Sequence, residues 1–410
     1  MLKTKLSRRA VLGGAAAAAA FAIVPRNVLG GPGNTAPSEE FGGALIGCGS
    51  QGPAGTWGSI QRGGLKVRKL AECDVKWVKE ADNKNKYTDF RRVVERKDID
   101  VVAIATPPHW HALITIAAME NGKDVLCEKP MTRFIAEGRA VVEAERRYKR
   151  IFQIGIFYRY GTQNERDSII SHKIMTSGLM KDCKGVFVVE GGLKVRAWSG
   201  MVNVTPEPIP DTLDWDMYCG PSPLRPYHHH RYGGSHRGYW DYDGGGLGDM
   251  GQHALDAMNW RYGRDYTSPV EIETYAPPAH PECTGMWGWS EMKYADGFTV
   301  VLKSNEWGEP YTRLQARGVT MDDLDPESRR KVEAMPDPEK FPEWGEAVKT
   351  RKRCGAHAEA AHRTASLMHL TNISIRVGRK LRYDPVAEQI IGDDEANRLV
   401  NQPMRAPWHL

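Results

Sequence analysis

The first 37 residues contain no acidic side chain, yet Lys3, Lys5, Arg8, Arg9 and Arg26 fall within them. The 410-residue chain has a formal charge of +5, and that stretch accounts for all of it: the remainder holds 51 basic and 51 acidic residues. A neutral body leaves nucleic-acid binding without compositional support. A long hydrophobic run is also missing. The most apolar stretch, an alanine run ending in Phe21-Ala22-Ile23-Val24, is too short to cross a bilayer, which takes about 20 residues. The seven cysteines (48, 73, 127, 183, 219, 283 and 354) include no C-x-x-C, which excludes the usual thiol-metal and redox patterns. Cys48, Cys73 and Cys127 fall at or near the ends of predicted strands, where small buried thiols are expected. The His228-His229-His230 run with His236 has no accompanying acidic or cysteine ligands and is interrupted by Arg231 and Arg237. No metal is expected there.

The start of the chain is informative. Ser7-Arg8-Arg9-Ala10-Val11-Leu12 leads into Gly13, Gly14 and the alanine run. A basic segment before a short, weakly apolar core is an export signal, and paired arginines point to the twin-arginine route. Residues 1–36 are therefore expected to be a signal and linker, with Ala20-Phe21-Ala22 as a cleavage site. The export machinery is the implied partner, and a periplasmic or exported location follows. Proteins on that route cross folded, so a cofactor acquired in the cytoplasm would travel with the chain. Folding in a reducing compartment also predicts free thiols.

From residue 41 the pattern is strand, glycine turn, strand, helix, strand. Ala44-Leu45-Ile46 runs into Gly47-Cys48-Gly49-Ser50-Gln51-Gly52, a G-x-G-x-x-G turn. The first glycine permits the bend, the second lets the backbone approach a pyrophosphate, and the third lets the helix pack on the strand. Pro53, Gly55 and Gly58 make that helix a poor one. A second strand, 67–73, ends in Asp74, 22 residues past Gly52, where a carboxylate accepts from the adenosine ribose hydroxyls. Asp74 favours NAD, and nearby Lys76 leaves NADP open. The apolar strand 100–105 ends in Thr106-Pro107-Pro108-His109-Trp110-His111 and reads as buried on both faces. A helix over 112–120 follows, then strand 124–127 ending in Glu128-Lys129-Pro130. A further helix is predicted over 134–148 and a strand over 151–157. Gly47, Asp74, Thr106 and Lys129 all stand at carboxyl ends of strands, where such sheets bind ligands. Residues 37–158 read as a Rossmann domain, and 159–410 as α+β.

Asp249-Met250-Gly251-Gln252-His253 opens a predicted helix after Gly244-Gly245-Gly246. Its i, i+4 spacing puts Asp249 and His253 on one face. Asp256, three residues on, is expected to fix the His253 tautomer.

Together these motifs resemble the Gfo/Idh/MocA oxidoreductases, the family of glucose–fructose oxidoreductase and inositol dehydrogenase. The matching features are the glycine turn, Thr106-Pro107 with His111, Glu128-Lys129-Pro130 and Asp249-x-x-x-His253. Gly378-Arg379-Lys380-Leu381, Asp384-Pro385 and the terminal Arg405-Ala406-Pro407-Trp408 extend the likeness over 41–410. The resemblance implies an α/β chain with an N-terminal Rossmann domain and a C-terminal α+β domain built on an open, mainly antiparallel sheet. It also implies a homo-oligomer, dimer or tetramer, formed through the sheet's free face. The cofactor site would comprise Gly47, Gly49, Ser50, Gln51, Gly52, Asp74, Thr106, Pro107, His111, Glu128 and Lys129, holding a tightly bound NAD.

Lys129, Asp249 and His253 are the expected catalytic set. Lys129 would hydrogen-bond the reacting oxygen, His253 would take the hydroxyl proton, and Asp249 would contact substrate. Tyr158 and Arg159 are expected to face the cleft, and Trp240 to stack on a sugar. Most of the nine tryptophans beyond residue 158 (198, 215, 240, 260, 287, 289, 307, 344 and 408) are expected in the core. The implied activity is hydride transfer between a sugar, glycoside or polyol hydroxyl and the nicotinamide. The alternatives are a redox-neutral glycosidase, disfavoured by the retained Lys129, and a nonenzymatic sensor.

Overall fold

A computed structural model describes residues 40–80, 85–180, 182–194 and 199–410. The expected signal over 1–36 and Trp198 lie outside the described residues.

Six strands build the first sheet: β1 (Phe41–Ile46), β2 (Val67–Cys73), β3 (Lys86–Tyr87), β4 (Val101–Ile104), β5 (Asp124–Cys127) and β6 (Phe152–Ile154). Their order is β3-β2-β1-β4-β5-β6, and β1 pairs in parallel with β4, β4 with β5 and β5 with β6. Val101, Val102, Ala103 and Ile104 are all fully buried, as a strand covered by helices on both sides must be. Strand order reverses between β1 and β4, and that crevice, at the strands' carboxyl ends, is where such sheets take ligands.

Helices α1 (His111–Glu120) and α2 (Ile135–Tyr148) follow β4 and β5. The weak helix after the glycine turn is a π-type turn over Gly52–Thr56, then a single α turn over Trp57–Ser59. Pro53 cannot donate, and Gly55 and Gly58 contribute no packing. The last strand is shorter than the expected 151–157. At Gly155 the chain passes over the Glu128 carboxylate, to which a Cβ would lie 3.2 Å away, and it leaves the sheet there.

The second sheet has the order β12-β11-β8-β9-β10-β7, from β7 (Val186–Glu190), β8 (Glu271–Tyr275), β9 (Trp289–Lys293), β10 (Thr299–Lys303), β11 (Leu381–Asp384) and β12 (Gln389–Ile390). Only the β7–β10 pair is parallel. One face receives α4 (Ala358–Val377), with Ser290 Oγ and Thr371 Oγ1 3.2 Å apart. On the other face Trp289 and Val301 cluster with Tyr311, and the Arg313 guanidinium sits 4.5 Å over the Trp289 ring. The face expected to be free for subunit contacts is thus partly covered by the chain's own segment around Tyr311 and Arg313.

Helix α3 (Gly245–Arg261) lies beside α4, joined by Asn259 Nδ2 donating to Thr364 Oγ1 at 3.0 Å. It starts four residues before Asp249, so Gly245 and Gly246 belong to the helix rather than to the loop before it. One continuous hydrophobic core runs from Ala44 and Ile104 to Leu302 and Leu370. Trp260, Trp287 and Trp344 are fully buried in the fold. All seven cysteines are buried and free. Among the described residues no helix is long and apolar enough to cross a membrane.

Candidate active site

The glycine turn is built as its spacing implies. Gly47 has φ +92°, and a Cβ there would lie 2.4 Å from the Ala105 carbonyl carbon. A Cβ on Gly52 would lie 2.1 Å from the Gly47 oxygen, whereas one on Gly49 would meet nothing within 4 Å. The first and third glycines therefore permit close packing, and the second faces open space. At the end of β2, Asp74 accepts from the Cys48 N–H at 2.7 Å and from the Lys76 N–H at 3.0 Å. Lys76 Nζ lies 3.7 Å from the same carboxylate. Burial, then the charge of Asp74, pushes the Cys48 thiol up to about 12.

Glu128 links the turn to the strand beyond. Its carboxylate accepts from Thr56 Oγ1 at 2.9 Å, Gln51 Nε2 at 3.2 Å and the Lys129 N–H at 3.2 Å. His111 does not line the cleft. Fully buried, it lies between the carbonyls of Thr106 (2.8 Å) and Pro130 (2.7 Å), tying the two strand-end loops together. Its place is behind the site because α1 begins at that residue and turns its first side chain inward.

A single cleft of about 430 Å³ runs from Gly47, Gly49 and Asp74 to Lys129, Asp249 and His253. In it, Lys129 Nζ donates to Asp249 Oδ1 at 2.7 Å and to the Asp249 carbonyl at 2.8 Å. Arg237 Nε lies 2.9 Å from the same Oδ1. Burial works against the Asp249 carboxylate, but Lys129 and Arg237 outweigh it and hold the group below the usual range. Burial, then the Lys129 charge, pulls the His253 imidazole below its ordinary value. It is thus neutral at pH 7 and able to accept a proton. His253 Nδ1 is buried with no hydrogen-bond partner among the described residues.

Three expectations need correcting. Arg159 does not face the cleft: fully buried, it donates to Asp256 at 2.8 and 3.0 Å and to Asp265 at 2.6 and 3.0 Å. A buried guanidinium must be paired, and Asp256 is consumed in that pairing. It therefore does not orient His253. Trp240 is buried, donates Nε1–H to the His280 carbonyl at 2.9 Å and borders a separate small cavity with Arg133 and Arg376. Its ring is not a stacking surface in the cleft. Tyr158 is 65% exposed and stands edge-on to His253, with ring centroids 6.0 Å apart.

The loop before α3 contributes residues that sequence reasoning passed over: His236, Arg237 and Asp243 all line the cleft. The sequence shows only charged residues among glycines, and neither their burial nor their convergence follows from spacing. Burial pushes the Asp243 carboxyl up to about 7, and burial, then Arg237, pulls His236 down to about 4.

The histidine run also gains an acidic neighbour. Glu207 lies 2.8 Å from His229 Nδ1 and 3.5 Å from His228 Nε2. However, His228 Nδ1 accepts from the His230 N–H at 3.2 Å, so Nε2 carries the ring proton. A metal-bound histidine needs the reverse arrangement, with its outer nitrogen donating. The cluster is hydrogen-bonded rather than arranged as a metal donor set.

A dinucleotide fits the cleft. The open side of Gly49 admits a pyrophosphate, Asp74 stands where a ribose hydroxyl would meet it, and the buried Thr106 Oγ1 has no partner within the described residues.

Comparison with known proteins accords with this arrangement. Residues 43–156 match a model described as the NAD-binding Rossmann fold of an oxidoreductase family, and residues 168–410 match that family's C-terminal alpha/beta domain. Levoglucosan dehydrogenase of Pseudarthrobacter phenanthrenivorans is 39% identical over 100 residues, which is 23% of this chain and 26% of that enzyme. Inositol 2-dehydrogenase of Salmonella typhimurium is 37% identical over 105 residues, 23% of this chain and 30% of that enzyme. The matches thus span about a quarter to a third of these curated relatives. The WlbA dehydrogenase of Bordetella pertussis, solved with NADH and UDP-GlcNAcA, superposes with a TM-score of 0.52 at 14% identity, over 84% of this chain and 99% of that one. At that identity the likeness shows a shared fold.

Proposed function

Because the chain belongs to the Gfo/Idh/MocA oxidoreductase family, we propose that it oxidises a hydroxyl of a sugar, glycoside or polyol in this cleft, passing the hydride to NAD. The observation that carries the reading is the continuity of the cleft: dinucleotide-type features and an acid–base set occupy one cavity. The nicotinamide supplies the hydride-accepting carbon. Gly47, Gly49, Ser50, Gln51, Asp74, Thr106, Pro107 and Glu128 would line the dinucleotide, with Gly52 and His111 bracing them from behind.

Lys129 donates toward the reacting oxygen, and its charge stabilises alkoxide character as the hydride leaves. His253, neutral at pH 7, accepts the hydroxyl proton. Asp249, pinned by Lys129 and Arg237, fixes both cations and offers its remaining lone pairs to a substrate hydroxyl. Retention of Lys129 favours net oxidation over redox-neutral glycoside cleavage. Asp74 favours NAD over NADP.

The paired arginines Arg8 and Arg9 support export by the twin-arginine route with the cofactor already bound tightly. Self-association is part of the same reading, and sedimentation analysis would measure it. The direct test is to analyse the purified protein for bound nucleotide and screen glycosides and inositols for growth of the reduced-nicotinamide absorbance. Release of aglycone with no accumulated reduced cofactor would select the glycosidase. A broad panel giving neither reaction would refute both.

A further inference from the structure

Arg133 is buried, with 7% of its surface exposed, but its charge is handled unlike that of Arg159. Arg159 meets two aspartates, whereas Arg133 takes part in no ion pair among the described residues. Its Nη1 donates to Ser222 Oγ at 2.7 Å and to the Asp241 carbonyl, both uncharged acceptors. Its Nε is buried with no partner among the described residues. The carboxylates that act on it are engaged elsewhere. Glu137 accepts the N–H groups of Arg133 and Phe134 at 2.9 and 3.2 Å, and Asp241 accepts from Arg225 at 2.7 Å.

A second guanidinium faces the same place. Arg376, near the end of α4, sits 5.3 Å over the Trp240 ring and makes no hydrogen bond or ion pair with a described residue. Both arginines line a cavity of about 30 Å³ behind the Lys129 loop. Burial, then the Arg133 charge, pulls Arg376 down to about 10, so it stays charged at neutral pH. The other polar groups of the wall do not neutralise the pair. Burial holds the His369 imidazole uncharged, at about 3, with Nε2 3.4 Å from Thr132 Oγ1. Asp243 is the acidic group of the wall and pairs with neither arginine. One of its oxygens is held by the Gly244 N–H at 2.6 Å, and burial pushes its carboxyl up to about 7.

We infer that this cavity binds one small anion of the halide class, held between the Arg133 and Arg376 guanidiniums. Buried charge is tolerated beside a partner of opposite sign, and two like charges at one cavity need that partner most. The volume exceeds the ~10–15 Å³ that a water requires and is too small for a sugar acid or a phosphate ester. Guanidinium is weakly hydrated, and Met368, Ile373 and Leu399 supply an apolar wall, so a weakly hydrated ion such as chloride or bromide suits the lining. The ion would fasten the segment after Lys129, through Arg133, to α4, through Arg376. It lies apart from the cleft, and the inference does not depend on the proposed sugar oxidation.

Two measurements test this. In the first, the purified protein, with any nucleotide it carries, is exchanged into gluconate and titrated with chloride at constant ionic strength. Its melting temperature should rise with chloride, and the chloride NMR line should broaden with protein and sharpen again when bromide competes. In Arg376→Gln the apparent chloride affinity should fall by ~10-fold or more, whereas Arg376→Lys, which keeps the charge, should lose less. That variant leaves the dinucleotide cleft untouched, so anion binding at the glycine turn would not respond to it. The second measurement is anomalous scattering from crystals of the parent containing bromide. A peak should stand within hydrogen-bond reach of Arg133 Nε and the Arg376 guanidinium. No chloride response in the parent, or an unchanged response in Arg376→Gln, overturns the inference. So does a bromide peak without any response in solution, which is binding at crystal concentration only. If Arg376→Gln does not fold, the bromide position in the parent decides, and a peak elsewhere overturns the site.

Discussion

Asp74 meets the cleft with both oxygens already accepting backbone N–H groups, from Cys48 and Lys76. Each oxygen keeps a lone pair for a ribose hydroxyl. Asp74→Ala should weaken NAD binding far more than NADP binding, because only NAD offers the free 2′-hydroxyl. Titration with both cofactors checks this, and equal losses would remove Asp74 from the ribose site. At the other end, His253→Ala should slow single-turnover NAD reduction by ~10²–10⁴-fold while cofactor affinity stays nearly constant. The pH dependence has a definite sign. His253 acts in its neutral form and its pKa is lowered from 6.5, so activity is full at pH 7 and is lost as pH falls through that lowered value. The Lys129 charge contributes to the lowering. Lys129→Met should therefore slow hydride transfer and also move the acidic limb of the profile to higher pH. A slower rate with an unmoved limb would mean that Lys129 does not act electrostatically on His253.

Helix α3 carries the reacting end, and its register depends on a residue with no chemistry of its own. Gln252 is fully buried, accepts from the Met131 N–H at 2.9 Å and donates to the Ala361 carbonyl at 3.0 Å. It joins α3 to the loop after Lys129 on one side and to α4 on the other. Gln252→Leu would leave the buried Met131 N–H unpaired, at about 1–3 kcal/mol, and would remove the extra donor to the Ala361 carbonyl. Urea unfolding should show that loss, and turnover should fall more than NAD affinity because Lys129 and Asp249 lose their common support. Helix α3 was legible from its glycines and its Asp-x-x-x-His spacing, although it begins earlier than expected. Periodicity cannot distinguish glycines that end a loop from glycines that open a helix, as Gly245 and Gly246 do here. The turn over Gly52–Thr56 was easier to read, since proline and glycine weaken a helix locally whatever surrounds it.

Across the whole molecule the C-terminal tail closes the structure. Arg405 donates to the Gly220 carbonyl at 2.9 Å and to Asp216 Oδ1 at 2.6 Å, and the Trp408 ring stands 4.8 Å from Trp110 beside the Rossmann sheet. Trp110 also lines the cleft. Removing residues 405–410 should lower the melting temperature and speed loss of bound nucleotide, measured by thermal unfolding and dialysis. Unchanged retention would confine the tail to stability. The sequence by itself determined the parallel sheet, the glycine turn, Asp74 at a strand end, and the candidate set Lys129, Asp249 and His253. The first three depend on short-range rules, strand burial and backbone freedom at Gly47, whereas the candidate set rests on the resemblance to the family. Only the tertiary structure decided where charges are neutralised. It buried Arg159 against Asp256 and Asp265, turned Trp240 away from the cleft, and brought His236, Arg237 and Asp243 into it. The physical reason is that a buried charge is tolerated only beside its partner, and Arg159 and Asp256 lie 97 residues apart, a separation that no local pattern spans.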